Sequence, residues 1–195
     1  MVTVFDCAIA YNKLLDVKYE FHLGHKNKLH QLELSFTQSE FFHLAGLHKL
    51  IDDTAQPRRL KREIIFQRIL NNPVEMEALL SKSLYYSELQ DRLLPLVNLE
   101  DLLDSEHLIF RYNSNQIPYS KIRADYLISG KLDVTDVFIF LVNNLELCNC
   151  CSIFCKNMLD YTKHQTKFTI LLKRKIRQSD GELLYECVRP GYRQC

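Results

Sequence analysis

The second half of the chain leaves no room for helices between its β-rich runs, which limits the folds open to it. Six short runs rich in β-branched and aromatic residues follow one another, separated by turn residues such as Asn113, Gly130 and Gly181. The runs cover residues 107–112, 122–128, 135–142, 147–154, 167–176 and 183–188. Because strands joined by short turns pair with their neighbours, this spacing predicts an antiparallel meander.

The first half has helical patterns instead, interrupted by one β-hairpin. The hairpin is predicted from two alternating runs, 18–23 and 28–36, on either side of a turn that begins at Gly24. Apolar spacing predicts helices over residues 4–17, from Pro57 to Leu70, and over residues 73–82, 84–95 and 99–103.

These patterns together predict an α+β fold, with N-terminal helices packed on a C-terminal antiparallel β-sheet. We expect residues 1–195 to form one domain, mostly helical over 1–106 and a sheet over 107–190. An apolar content of 47% provides enough material for a core of this size.

The net charge of +1 conceals a marked segregation of charge along the chain. Residues 85–106 contain six acids and a single base, Arg92, whereas residues 156–177 contain seven bases and a single acid. A third segment, 57–68, is also strongly basic. Segregation of this kind favours a positive face that attracts a polyanion. The alternative is that each run is an ordinary solvated face.

The chain has no sequence feature of a membrane or secreted protein. Its longest apolar run in the C-terminal half, residues 137–142, is too short to cross a bilayer. The first residues lack the basic start of a signal peptide, and Asp6 interrupts their apolar stretch. We therefore expect a cytoplasmic protein with no membrane partner.

Four of the seven cysteines lie close together, at positions 148, 150, 151 and 155. Zinc binding is one interpretation, but the segment has no Cys-x-x-Cys pair and reads as a strand. On a regular strand Cys148 and Cys150 share one face, while Cys151 and Cys155 point to the other. Buried, reduced thiols are the better interpretation, so we predict no metal and no cofactor.

The residues that best suggest chemistry lie between positions 41 and 52. His43, His48, Lys49 and Asp52 interrupt an otherwise apolar run. Imidazoles transfer protons near neutral pH, and a lysine can hold a phosphate. If the run is helical, Asp52 lies one turn after His48 and can orient its ring. The alternative is a buried histidine whose hydrogen bonds are satisfied within the core and which has no role in catalysis.

A capping box, Thr37-x-x-Glu40, predicts that a helix begins just before this run. Within a helix Gly46 costs about 1 kcal/mol relative to alanine, so we expect another backbone or a phosphate to approach it closely. His43 and His48 would lie about 140° apart around a straight helix. Both can therefore point to one site only if Gly46 bends the segment.

Two further polar clusters follow later in the chain. Lys121, Arg123 and Asp125 alternate along a predicted strand and would share a face, either exposed or forming the floor of an anion site. A polar turn then leads into the basic final hairpin. Its side chains are of the kinds that bind phosphate oxygens, and the alternative is an ordinary exposed loop. The turn contains Tyr161, Thr162, Lys163, Gln165, Thr166 and Lys167.

The run His-Leu-x-Gly-Leu-His-Lys at 43–49, followed by the blocks at 120–126 and 161–167, resembles a phage-associated branch of the barnase, EndoU, colicin and RelE-like nucleases. The similarity extends in matching order over roughly residues 13–176. The density of cysteines departs from the family pattern, on a sheet strand outside the proposed site. The resemblance implies a compact α+β domain that cleaves RNA without a metal, by attack of a ribose 2′-hydroxyl.

The resemblance also implies roles for residues of this sequence. His48 is expected to act as general acid or base with His43 as its partner, while Lys49, Arg123 and Thr166 complete the catalytic set. Substrate binding is expected from Lys121, Tyr126, Tyr161, Thr162, Lys163, Gln165 and Lys167. The partner would be RNA, and a protein inhibitor is a further expectation.

Such a nuclease would be a toxin, an effector or a phage-derived defence component. A second hypothesis is a catalytically inactive module on the same fold that binds nucleic acid or protein, since a fold alone does not confer activity. A third is a zinc-dependent protein that uses the cysteine cluster.

Overall fold

The computed structural model describes residues 1–52, 60–118, 120–144 and 147–193, and these form a mixed helix and sheet structure. The helices are α1 Val4–Leu14, α2 Gln38–Leu44, α3 Arg62–Asn71, α4 Pro73–Leu80, α5 Gln90–Val97 and α6 Leu99–Asp104. The strands are β1 Val17–His25, β2 Lys28–Ser35, β3 Leu108–Arg111, β4 Tyr126–Leu132, β5 Thr135–Asn144, β6 Leu147–Cys155, β7 Thr166–Lys167, β8 Thr169–Arg177 and β9 Leu183–Val188.

The described strands form one sheet in the order β7-β3-β4-β5-β6-β2-β1-β8-β9. The N-terminal hairpin β1–β2 is therefore part of the sheet, and the predicted all-antiparallel, C-terminal sheet is wrong in this respect. β2 pairs in parallel with β6, where Leu34 faces Cys148, and β1 pairs with β8. Local periodicity shows that a segment is a strand, but it carries no information on which distant strand completes its hydrogen bonds.

The sheet is curled because one segment pairs at two distant places. β7 pairs with β3, whereas β8, which begins after Phe168, pairs with β1. The amide of Phe168 donates to the carbonyl of Ile109 at 2.9 Å and keeps the segment on β3 up to that point. The single strand predicted over residues 167–176 is therefore two strands that join opposite parts of the sheet.

Helices cover one face of the sheet and build the main core. Tyr11 of α1 packs against Phe41 of α2 and Phe66 of α3, with ring centroids 5.6 Å and 6.1 Å away. A second, smaller cluster lies outside this core. It contains Phe110, Tyr112, Ile117, Leu127, Phe138, Phe140 and Tyr161. The loops that precede β4 and β7 thus cover apolar surface that the helices leave open.

Two glycine predictions differ from the structure. Gly130 lies within β4, opposite Val137, and is not a turn; the turn comes at Asp133, which has a φ of +51°. A Cβ on Gly130 would lie 3.3 Å from Leu102 of α6, so the glycine permits close packing of helix on sheet. The N-terminal hairpin is confirmed, but Lys26 and Asn27, both with positive φ, form its turn.

The predicted helices are present where the structure describes them, with shifted ends. α1 ends at Leu14, and α4 begins at Pro73 as predicted. Pro57 lies outside the described residues, and the basic helix that was predicted to follow it begins at Arg62. A 3₁₀ turn at Tyr86–Leu89 precedes α5. None of the helices among the described residues is long and apolar enough to cross a membrane.

Candidate active site

The helix that begins after the capping box carries His43 but ends before His48. The predicted capping box is present, with the Glu40 carboxylate accepting from the amide of Thr37 at 3.2 Å. α2 ends at Leu44, however, and Gly46 has a φ of +77° before a 3₁₀ turn at Leu47–Lys49. A glycine in the left-handed region ends a helix, so a continuous helix to residue 52 is wrong.

The bend at Gly46 brings the two histidines together. The ring centroids of His43 and His48 lie 4.9 Å apart, with the ring planes inclined by 47°. A straight helix would have turned the two side chains away from each other. The bend at Gly46 that a shared site requires is therefore present, and two imidazoles can reach the same small group.

Arg92 of α5 lies beside this histidine pair. Its Nη1 donates to the Ser152 hydroxyl at 3.2 Å and to the His43 carbonyl at 3.5 Å. The guanidinium carbon lies 5.7 Å from the centre of the Phe154 ring. Ser152 and Phe154 both belong to β6, beyond the last residue of that strand that pairs with β2. The arginine thus occupies an edge of the sheet that α2 and α5 cover.

Arg92 is the principal site residue that the sequence did not single out. A signal for it existed, because it is the only base among the acids of residues 85–106. A lone cation in an acidic helical segment is easily explained by intrahelical ion pairs. Its hydrogen bonds instead go to Ser152, 60 positions later in the chain, and to His43, 49 positions earlier.

Gly46 is needed next to Arg92 for a steric reason. A Cβ on Gly46 would lie 2.8 Å from Cδ of Arg92 and 3.2 Å from Cδ2 of Leu89. The close neighbour of this glycine is therefore an arginine side chain, and neither of the expected neighbours, a backbone or a phosphate. The residue that bends the segment also makes space for the cation.

The charges around the pair favour a neutral His43. Burial lowers the pKa of His43, and the nearby positive charges of Arg62 and Arg92 lower it further. Arg62 is held with its guanidinium carbon 5.9 Å from the centre of the Phe42 ring. Burial also lowers the pKa of Arg92. The site therefore combines an uncharged imidazole with two guanidinium groups, which suits an anionic ligand.

Lys49 lies next to His48 along the chain, whereas Arg123 is placed only by a contact with β6. Lys49 is the last residue of the 3₁₀ turn that contains His48. The carbonyl of Arg123 accepts from Sγ of Cys151 at 3.7 Å, so the loop before β4 passes over β6 next to Ser152. Because β4 begins only at Tyr126, the strand predicted over residues 122–128 is wrong at its start.

The alternation predicted before β4 is consequently absent. Lys121 is exposed in a loop. The Asp125 carboxylate accepts from the amide of Asn143 at 2.9 Å and lies 3.8 Å from the guanidinium of Arg111. Tyr126 is buried, and Arg111 lies over its ring with the guanidinium carbon 5.2 Å from the centroid. Asp125 and Tyr126 thus contribute to the packing around β3 and β4.

Thr166 lies far across the sheet from the histidine pair. The register runs from Thr166 through Arg111, Tyr126 and Leu141 to Cys150. Four strand spacings amount to roughly 19 Å along the sheet. Thr166 therefore belongs to a different region from His43, and a catalytic role for it remains a prediction without support from proximity.

The polar turn before β7 is held by its own contacts. The Thr162 hydroxyl donates to the Asp160 carboxylate at 2.6 Å, and the Gln165 amide bonds to both backbone groups of Asn113. Tyr161 is buried in the second apolar cluster. Lys163 and Lys167 are exposed. The turn contributes fixed structure and exposed cations, and its role in substrate binding stays a prediction.

The cysteine-rich strand packs differently from a regular strand. A register shift between Phe140 and Leu141 makes Cys151 an extra residue on β6. Cys155 consequently packs on the main core, like Cys148, whereas Cys151 packs on the second cluster, so the predicted shared face of Cys151 and Cys155 is wrong. In the part of the chain that the structure describes, no three His, Cys, Asp or Glu side chains are grouped to hold a metal ion.

The mixed helix and sheet fold of this chain thus brings together two adjoining imidazoles and a fixed guanidinium. Residues 3–188 match the family PBECR4, described as phage-Barnase-EndoU-ColicinE5/D-RelE like nuclease 4, and the chain belongs to this family. It is thus a phage-associated, nuclease-like domain. Neither the curated proteins nor the solved structures contain a match to it.

Proposed function

We propose that this protein is a metal-independent endoribonuclease in which His43 and His48 transfer the protons of the reaction. The observation that carries the proposal is the 4.9 Å separation of the two imidazole rings beside Arg92. Acid and base can then act on one phosphodiester, with the Arg92 cation near His43. Membership of a nuclease-like family supports the same conclusion.

The reaction is a transesterification within the RNA strand. The ribose 2′-oxygen attacks the adjacent phosphorus while His43 accepts its proton, and the bond from phosphorus to the 5′-oxygen breaks. His48 donates a proton to that leaving oxygen. The products are a 2′,3′-cyclic phosphate and a 5′-hydroxyl end, and the two proton transfers balance without a metal or another reactant.

The environment of His43 supports the assignment of the two roles. Burial and the charges of Arg62 and Arg92 lower the pKa of His43, so its ring is uncharged at neutral pH and can accept a proton. The remaining imidazole, His48, then supplies the proton for the leaving group. General acid and base catalysis of this kind contributes typically 10²–10⁴-fold.

Arg92 is proposed to stabilise the negative charge of the phosphorane. The Ser152 hydroxyl and the Phe154 ring fix the guanidinium before substrate arrives. A donor placed in advance in this way is worth roughly 10²–10³-fold in rate. Lys49, which directly follows His48, and Arg123, in the loop before β4, are proposed to add positive charge.

We place this activity in the cytoplasm, as that of a toxin, an effector or a defence component. Six cysteines among the described residues are free thiols, and three of them are buried. Free thiols in this number suit a reducing compartment.

The direct test is incubation of labelled RNA with purified protein in the presence of EDTA. Wild-type protein should cut the RNA, and His43→Ala and His48→Ala should each lose at least about a hundredfold in rate. His30→Gln is a matched control, because His30 is half-exposed on β2 and packs on Phe168 instead. Binding of RNA without cleavage would support the inactive binding module, and cleavage abolished by EDTA would contradict the proposed mechanism.

A further inference from the structure

A second basic site lies in a cavity far from the histidine pair. This open cavity of about 590 Å³ lies between the tip of the β1–β2 hairpin, the start of β8, and Tyr192 and Arg193. Lys26, Lys28, Lys167 and Arg193 line it from three separate segments of the chain. Among the described residues that line the cavity there is no carboxylate. The charge of the described lining is therefore entirely positive.

The cations of this cavity have no ion-pair partner among the described residues, unlike several others in the protein. Lys156, for example, lies 3.1 Å from the carboxylate of Asp136, and Lys175 lies 2.7 Å from that of Asp104. Charges of one sign in a concave surface raise the local potential and attract counter-charges. The cavity therefore presents a positive field that no ion pair among the described residues neutralises.

The floor of the cavity is a buried histidine held in one tautomer. His22 is only 8% exposed, and the amide nitrogen of Gln31 lies 3.5 Å from its Nε2. Because an amide nitrogen can only donate, Nε2 accepts and Nδ1 carries the proton. Nδ1 then donates to the Tyr192 hydroxyl at 2.7 Å. Tyr192 is left with its own hydroxyl proton to donate to a ligand.

The dimensions of the cavity indicate an occupant larger than one phosphate. Its volume is within the range of about 300–1,000 Å³ that is usual for sites of nucleotide-sized ligands. Three separate segments supply the cations, so they can contact successive phosphates of a chain. The cavity is distant from the histidine pair, because neither His43 nor His48 lines it. Leu29, which does line it, is six residues before the end of β2, or roughly 20 Å along the strand from the end that leads to α2.

We infer that the cavity between the hairpin tip and the C-terminal residues binds the phosphodiester backbone of single-stranded nucleic acid. It would hold a part of the strand distant from the point of cleavage, and in this respect the inference rests on the proposed ribonuclease function. Lys28 and Lys167 contact phosphates, and the Tyr192 hydroxyl adds a hydrogen bond. The predicted substrate contact of Lys167 is thereby assigned to this second site.

The test uses a labelled 2′-O-methyl RNA of about twelve nucleotides, which binds but cannot be cleaved. Its affinity is measured by fluorescence anisotropy between about 50 and 200 mM salt. The double variant Lys28→Gln, Lys167→Gln should bind about tenfold more weakly, with a salt slope lower by about two. Tyr192→Phe should weaken binding by a smaller factor.

The matched control is Lys13→Gln, Lys131→Gln, which removes two exposed lysines that do not line the cavity. It should bind within about twofold of wild type, and circular dichroism should show all variants folded. Equal affinity of the cavity variant and this control overturns the inference, as does equally tight binding of a trinucleotide. Since no cleavage is involved, binding that depends on the cavity in a protein that cannot cut RNA would overturn the proposed function alone.

Discussion

Gly46 and Arg92 are in contact at a distance that no side chain at position 46 would permit. A Cβ on Gly46 would lie 2.8 Å from Cδ of Arg92, and the backbone of Gly46 has a φ of +77°. The bend that brings His43 to His48 and the position of the cation therefore depend on the same residue. A substitution at Gly46 should therefore affect both the histidine pair and Arg92.

Gly46→Ala should reduce both stability and activity. The left-handed backbone costs about 1–2 kcal/mol for alanine, and the contact with Arg92 adds to that cost. Because Arg92 must move, we expect the rate of RNA cleavage to fall at least about tenfold. Urea unfolding and single-turnover cleavage measure the two effects.

Gly181→Ala is the control for backbone strain alone. Gly181 also has a positive φ, of 75°, but nothing lies within 4 Å of a Cβ at this position. It should lose only about 1 kcal/mol of stability and keep wild-type activity. Equal losses of activity in the two glycine variants would show that the contact with Arg92 is irrelevant.

Arg92→Lys should slow cleavage although it keeps the positive charge. Lysine lacks the planar fork that contacts Ser152 while lying over Phe154. We expect a loss of about 10²-fold in single-turnover rate, with little change in melting temperature. Arg68→Lys, an exposed position on α3, is the control and should cleave like wild type. A wild-type rate for Arg92→Lys would remove Arg92 from the mechanism.

The sequence predicted elements well where local pattern determines them. The strands at β6 and β9 follow from alternation, and the capping box of α2 follows from Thr37 and Glu40. The end of α2 was missed because Leu44, Leu47 and Ile51 continue a helical spacing past Gly46. The apolar spacing favours a longer helix there, but the left-handed backbone of Gly46 ends it.

Pairing between distant segments was not predictable from local pattern. The parallel contact of β2 with β6 joins residues more than a hundred positions apart, and the split of residues 166–177 between two strands depends on the curl of the whole sheet. The same limit applies to the site. The histidine pair is local and was predicted conditionally, whereas the contact of Arg92 with Ser152 is long-range and was not.

His107 should make the protein less stable in mild acid. Burial, with a smaller effect of Lys173, lowers its pKa from 6.5 to about 4. Unfolding returns the pKa of His107 to 6.5, so the unfolded chain binds a proton before the folded chain does as the pH falls. The stability that neutral His107 contributes is complete above pH 6.5 and is lost between about pH 6.5 and 4. This loss amounts to about 3 kcal/mol.

Urea unfolding at several pH values tests this linkage. Between pH 6.5 and 4 the free energy of unfolding of wild type should fall by about 3 kcal/mol more than that of His107→Leu, which cannot titrate at this position. Parallel pH profiles of the two proteins would contradict a buried, neutral His107.

Lys173→Met should destabilise the end of α6. The buried ammonium of Lys173 donates to the carbonyls of Leu103, Asp104 and Ser105 at 2.9, 2.7 and 2.8 Å. Methionine fills similar space but leaves these carbonyls without their donor, at a cost of about 3 kcal/mol. Lys131→Met, an exposed lysine on β4, should change stability by less than about 0.5 kcal/mol. Similar unfolding midpoints for both variants would refute the role of Lys173.

The proton transfers by His43 and His48 are tested most directly with a modified substrate. An RNA whose 5′-bridging oxygen at the scissile bond is replaced by sulfur has a leaving group that needs no proton. His48→Ala should cut this RNA at close to the wild-type rate while failing on ordinary RNA, and His43→Ala should remain slow on both. If both variants cleave ordinary RNA as fast as wild type, the histidine pair is not the catalytic centre.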